Sequence, residues 1–188
     1  MGRKAACICL LLVSSVALPS GPVAAEQAPT VRPGERAASQ ASDLRAHSSP
    51  APFIPAEFTV PTLVSGEGFK LVPLGPDLVQ TDYRAYMSSI EHLQKTFSRS
   101  TAWPREGISD ADAMQDMLNE QARFKSRSSF AYAVLTPDGS REMGSVYVRP
   151  SKVAGYDAEV RMWVTKADYD AGFDGRLYGW VTGWIGSK

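Results

Sequence analysis

"FAYAVLTPDGSREMGSVYVRPSKVAGYDAEVRMWVT", Phe130 to Thr165, is the stretch whose reading decides the fold. Three short runs in it are rich in Val, Tyr, Phe and Trp: Phe130 to Leu135, Glu142 to Arg149, and Asp157 to Thr165. Their length and β-branched, aromatic content suit strands rather than helices. Thr136-Pro137-Asp138-Gly139 is a strong hairpin turn, and Pro150 to Gly155 is a loop. The stretch therefore reads as an antiparallel meander. In its last strand Glu159, Arg161 and Trp163 share one face, and Ala158, Val160, Met162 and Val164 share the other.

Working outward, "FKLVPL" (Phe69 to Leu74) is a further strand, and Gly75-Pro76-Asp77 turns into a helix. The helix carries Val79, Tyr83, Tyr86, Met87, Ile90, Leu93 and Phe97, spaced by threes and fours. Ser109 caps a second helix, with Asp112 at the capping-box position and a stripe of Met114, Met117, Leu118 and Phe124. Beyond the meander, a last helix places Leu177, Trp180, Val181, Trp184 and Ile185 on one face. The order is β-α-α-β-β-β-α, an α+β class with a mixed, mostly antiparallel sheet and helices on its faces.

The N-terminus reads as a secretory signal peptide over residues 1–25. Arg3 and Lys4 precede the apolar run Ala5 to Leu18, and Val23-Ala24-Ala25 supplies small residues before a cut at Glu26. The apolar run is shorter than the roughly 20 residues of a spanning helix, so no stable membrane anchor is expected. This implies an exported protein, periplasmic or secreted. Cys7 and Cys9 both lie in the leader, so the mature chain would carry no disulfide and no cysteine nucleophile. Residues 26–52 are rich in Ala, Ser, Pro and Gln without periodicity and read as a disordered linker. "PFIPAEFTVPTLV" is apolar but broken by Pro52, Pro55 and Pro61, which predicts a segment lying extended on the domain surface. One domain, residues 53–188, follows. With 20 basic and 20 acidic side chains in the whole chain, nothing marks a nucleic-acid or anionic-membrane surface.

"WVTKADYDAGFDGRLYGWV", Trp163 to Val181, passes from a strand through aspartates and glycines to a helix. Three readings stand. Backbone N–H groups at such a junction can hold a phosphate. Asp170, Asp174 and Gly175 also echo a calcium loop, although position 12 of that loop is Val181 rather than Glu. The third reading is a capped turn. No HExxH, histidine pair, GxSxG elbow or Walker loop occurs, and no metal site is expected.

The element order, the glycine of the third strand (Gly144 in "MGSVYV") and the strand–loop–helix after the fourth resemble the GCN5-related N-acetyltransferase (GNAT) superfamily. The wording "DYRAYMSSIEHL", "FAYAVL" and "YDAEVRMWV" is similar to a bacterial subgroup of it. The resemblance covers roughly Phe69 to Lys188 and implies transfer of an acetyl group from acetyl-CoA to an amine by direct attack. By resemblance Met162, Trp163 and Val164 would pair with the pantetheine arm. Asp170, Ala171, Gly172, Phe173, Asp174 and Gly175 would offer N–H groups to the pyrophosphate. The base would be Glu159, with Asp157 second, and Trp103, Tyr83 and Tyr86 could line the acceptor pocket. Against these stand the bland alternatives: a paired or solvated Glu159–Arg161 stripe, and aromatics that only fill the core.

The sequence departs from the superfamily in three ways. In the loop pattern Gln/Arg-x-x-Gly-x-Gly/Ala, Tyr169 stands for the Gln/Arg and Asp174 for the Gly/Ala, with only Gly172 kept. A domain lacking the usual C-terminal strands is expected, because nothing after Ile185 reads as one. Export would also separate the domain from the compartment where acetyl-CoA is made. An exported, non-catalytic binding module with a degenerate GNAT fold is therefore the alternative. Either way an unpaired fourth strand would be an exposed edge, open to homodimerisation.

Overall fold

The computed structural model describes residues 53–187; the leader and the linker lie outside the described residues. Five strands form one sheet in chain order: β1 (Val64–Gly66), β2 (Phe69–Pro73), β3 (Phe130–Leu135), β4 (Glu142–Pro150) and β5 (Ala158–Val164). Every pairing among them is antiparallel, so the expected mixed character is not present here. The helices are α1 (Val79–Met87), α2 (Ile90–Leu93), α3 (Asp110–Lys125), α4 (Lys166–Asp170) and α5 (Phe173–Gly186). The expected order is therefore found, with β1 and α4 added to it and the expected first helix divided into α1 and α2.

The two faces of the sheet have separate covers. On one, Leu71, Tyr132, Val134, Val146 and Val160 pack against Phe173, Leu177 and Val181 of α5. Full burial of a side chain such as Leu177 contributes roughly 1.5–3 kcal/mol. On the other, Ala131, Ala133 and Leu135 meet Val79 of α1 and Ala113 and Met117 of α3. The small alanines of β3 let these helices approach closely. Further along the same face Trp163 packs with Tyr86 and Leu93.

Two local features depart from the periodic reading. The long first helix is broken at Ser88 and Ser89, although the apolar spacing runs straight through. Ser88 Oγ donates to Ala85 O at 2.7 Å, and Ser89 Oγ accepts from the Lys166 amide at 2.8 Å. Serine side chains that bond backbone in this way compete with the helix ladder. In α3 the Ser109 capping box forms as the sequence implies, but the buried face is Ala113 and Met117, and Leu118 is 44% exposed. The N-terminal segment is tied to the sheet. Arg127 Nη2 donates to Pro55 O and Phe58 O at 2.6 and 2.8 Å, and Tyr132 Oη donates to Pro61 O at 3.0 Å.

β4, the middle strand of the meander, contains a bulge. Val134 pairs with Gly144 and Leu135 with Glu142, which leaves Met143 as an extra residue. The strand alternation is thereby reversed across Met143. Met143 joins the core under α5, and Glu142 turns to the face that carries Ser145 and Tyr147. Gly144 beside the bulge is required by close approach, since a Cβ there would lie 2.0 Å from Trp163 O and 2.8 Å from Val164 Cα.

Candidate functional site

The face of the sheet under α1 and α3 is not filled to its end. A cleft of about 220 Å³ opens there, floored by Tyr147, Arg149 and Arg161 and walled by Asp82 and Tyr86 of α1, Asp116 of α3, and Phe97 and Trp103. The rings form a connected set: Tyr86 to Trp103 at 5.3 Å, Phe97 to Trp103 at 6.0 Å and Phe97 to Tyr147 at 5.9 Å. Trp163 lies beneath them and donates from Nε1 to Tyr147 Oη at 3.4 Å. Of the aromatics expected at an acceptor pocket, Tyr86 and Trp103 line the cleft. Tyr83 instead donates to Ile108 O and stands beside it.

Asp82, which lines the cleft, belongs to an acid pair with Glu142 that sequence reasoning missed. Asp82 is 6% exposed and Glu142 1% exposed, and their carboxyl groups are in hydrogen-bonding contact. Such contact requires a proton between them. Ser145 Oγ donates to Glu142 Oε1 at 2.8 Å, while Oε2 is buried with no hydrogen-bond partner. Burial raises both acids above the ordinary carboxylate range. Asp116 and Glu120 push Asp82 further up, and the Asp82 charge does the same to Glu142. No cation forms an ion pair with Asp82 among the described residues.

One signal could have revealed half of this pair. Asp82 stands three residues after Val79 and four before Tyr86, which places a lone carboxylate within the apolar stripe of α1. Glu142 had no such signal, because the bulge alone sets its direction.

Two arginines face the acids from the floor. Arg161 donates to Phe97 O at 2.9 Å and lies 4.5 Å from the Phe97 ring centroid. Arg149 lies 5.4 Å from the Tyr147 centroid. Neither forms an ion pair with a described acid.

Glu159 is opposite Arg149 in the β4–β5 register, half-buried and outside the residues that line the cleft, and Asp157 is exposed before β5. Met162, Trp163 and Val164 lie on β5, the last strand of the sheet among the described residues, so no further strand pairs with it there, although His92 bonds the Val164 backbone. Trp163 points to the cleft face, and Met162 and Val164 pack on the α5 side.

The junction after β5 is more ordered than the glycine-rich sequence implies. Thr165 caps α4 by accepting from the Asp168 amide, and Asp168 receives a bidentate pair from Arg141 at 2.6 and 3.0 Å. The amides of Ala171 and Gly172 are spent on Ala167 O and Tyr169 O. Phe173 is buried against Phe69 at 5.5 Å, and Asp174 and Gly175 stand in the first turn of α5. Asp170 is ion-paired with Lys166, and among the described residues no three His, Cys, Asp or Glu side chains group to hold a metal. The calcium-loop alternative is not supported by this geometry. Acetyl-CoA fits the junction in part. No further described strand pairs β5, and of the expected cradle Asp170 ends α4, Ala171 and Gly172 have bonded amides, and Phe173, Asp174 and Gly175 form the first turn of α5, which has no side-chain cap.

No protein-family model and no curated protein matches the sequence. Among solved structures, the chain is similar to a ribosomal-protein-S5-alanine acetyltransferase from Vibrio fischeri, with TM-score 0.51 and 14% identity over 66% of this chain and 67% of that one. It also aligns with a proposed ribosomal-protein-serine acetyltransferase from Vibrio cholerae, with TM-score 0.47 and 12% identity over 64% and 62%. A proposed GNAT-family acetyltransferase from Bordetella pertussis aligns with TM-score 0.42 and 12% identity over 57% and 60%. These alignments span at most about two-thirds of the solved chains. The likeness is one of fold, and that fold is GNAT-like.

Proposed function

We propose that this GNAT-like domain transfers an acyl group from a thioester, with acetyl-CoA as the first donor to test, to an amine held in the cleft. The observation that carries the reading is Asp82, a buried carboxylate that lines a small aromatic cleft and forms no ion pair among the described residues. An amine arrives as an ammonium ion and must lose a proton before it can attack. A carboxyl raised toward neutrality is suited to take it. The nitrogen lone pair then forms the N–C bond to the thioester carbonyl, the C–S bond breaks, and the sulfur leaves with the electron pair. The second proton from nitrogen goes to the departing sulfur or to water. Trp163, on the last described strand, has its side chain beneath the cleft, which supports placing the acceptor over that face of the strand. In this reading Asp82 replaces Glu159 and Asp157 as the base.

The test is release of free thiol from acetyl-CoA with a panel of primary amines. We expect a rate that rises with pH as Asp82 ionises. Asp82→Asn should lower kcat at least about 100-fold, the usual scale of a general base, and Glu159→Gln should change it little. No thiol release with any amine refutes the transfer reading. Full activity in Asp82→Asn with loss in Glu159→Gln returns the base to β5.

A further inference from the structure

The charges of the cleft are segregated. Asp82 and Asp116 stand on the helical wall, and Arg149 and Arg161 on the sheet floor. Glu120, also in the lining, is already satisfied by a bidentate Arg123 at 2.6 and 3.2 Å. That leaves two acids and two arginines with no ion pair among the described residues, although all four border one small space. Asp82 is more than nine-tenths buried, and its acidic neighbour can give it a proton but no countercharge. A buried carboxylate without a cation is costly, and a ligand ammonium would offset that cost. Arg149 and Arg161 lie over aromatic rings, which orients their guanidinium groups without neutralising them.

We infer that the acceptor is a small aminocarboxylate with an apolar side chain, held by its ammonium at Asp82 and Asp116 and by its carboxylate at Arg149 and Arg161. This rests on reading the cleft as the acceptor site. Tyr86, Phe97, Trp103 and Tyr147 supply the apolar walls between the two charged ends. At about 220 Å³ the cleft is below the roughly 300–1,000 Å³ of drug-sized pockets. It therefore suits a free amino acid better than a folded protein's N-terminus. The latter carries no nearby carboxylate for the arginines and would need an exit for its chain. The arginines border the cleft with Asp82, on the sheet face opposite the one that α5 covers, so they face the acceptor rather than the donor's phosphates.

The experiment is binding by calorimetry and thermal shift on the full chain without any thioester, so it does not depend on transfer. The probes are L-phenylalanine, L-leucine, L-methionine and L-tryptophan. Phenethylamine, which lacks the carboxylate, 3-phenylpropionate, which lacks the amine, and a pentapeptide beginning with Phe complete the set. At least one amino acid should bind. With L-phenylalanine, both truncated analogues should bind at least about tenfold more weakly, the scale of one lost charge-assisted hydrogen bond. Arg149→Gln should reduce phenylalanine to the level of phenethylamine and leave phenethylamine unchanged. Asp82→Asn, with folding checked by circular dichroism, should weaken both. Phenethylamine or the pentapeptide binding as tightly as phenylalanine overturns the inference, as does absence of binding by all four amino acids. Binding of amino acids without thiol release in the acetyl-CoA assay would leave the inference standing and remove the transfer reading. Thiol release with simple amines but not amino acids would do the reverse.

Discussion

Replacing both buried acids by their amides, Asp82→Asn with Glu142→Gln, should change how stability depends on pH. Burial raises Asp82 to about 7 and Glu142 well above its ordinary value, whereas both titrate near about 4 in the unfolded chain. Between those values the folded protein keeps a proton that the unfolded chain has lost. The stability linked to it is fully present below the unfolded value, and is lost as pH rises toward the folded value. Each retained proton is worth about 1.4 kcal/mol per pH unit, so one proton held from pH 5 to pH 7 corresponds to a loss on the order of 3 kcal/mol. The amide pair has no proton to lose and preserves the shape and the hydrogen bond. Urea denaturation from about pH 5 to pH 8 should show the variant gaining on the parent by roughly that amount. The gain should come mostly below neutrality, with most of the remaining slope set by the rest of the chain. Parallel profiles for parent and variant would refute the reasoning, because they would mean that the two carboxyls titrate in the folded state as they do when unfolded.

Gly144→Ala forces a methyl onto the backbone of β5, 2.0 Å from Trp163 O, and should cost at least the 1–3 kcal/mol typical of overpacking, read as a lower Tm. Ser109→Ala removes the side chain that accepts from the Asp112 amide and should destabilise by about 0.5–2 kcal/mol, with Ser109→Asp restoring most of it in the same urea titration. Arg127→Ala deletes two hydrogen bonds to Pro55 and Phe58 and should speed limited proteolysis before Thr62 while the sheet's near-ultraviolet circular dichroism is retained.

The meander was legible because its three strands are marked by β-branched and aromatic residues and by a Thr-Pro-Asp-Gly turn, and those cues are local. β1 was missed since it is three residues long and contains Ser65 and Gly66, so only pairing with β2 defines it. The Ser88–Ser89 break was hidden by an apolar stripe that continues through it. Its cause is partly a hydrogen bond from Lys166, far away in the chain. In α3 the cap was readable from Ser109 and Asp112, but the buried face depended on the small side chains of β3, which admit Ala113 and Met117. The site was the least legible part. Glu159 was placed on the correct face of its strand, yet the residue opposite it, Arg149, marks the outer end of that face. The buried acid that lines the cleft is Asp82 on α1, and its partner Glu142 reaches it only through the Met143 bulge.

The ties of the N-terminal segment also set an order of events during synthesis. Arg127 holds Pro55 across 72 residues, and Tyr132 holds Pro61 across 71. The segment therefore leaves the ribosome well before either anchor exists, while loop closure over such a span is slow compared with helix formation. It waits, undocked, until β3 has emerged and paired. Phe53, which stacks on Phe130 at 6.0 Å in the finished domain, has no such ring to meet in the interim. A slowly translated or stalled chain would thus expose this apolar segment longer than any other described part of the molecule, making it the natural first contact for a chaperone or a protease.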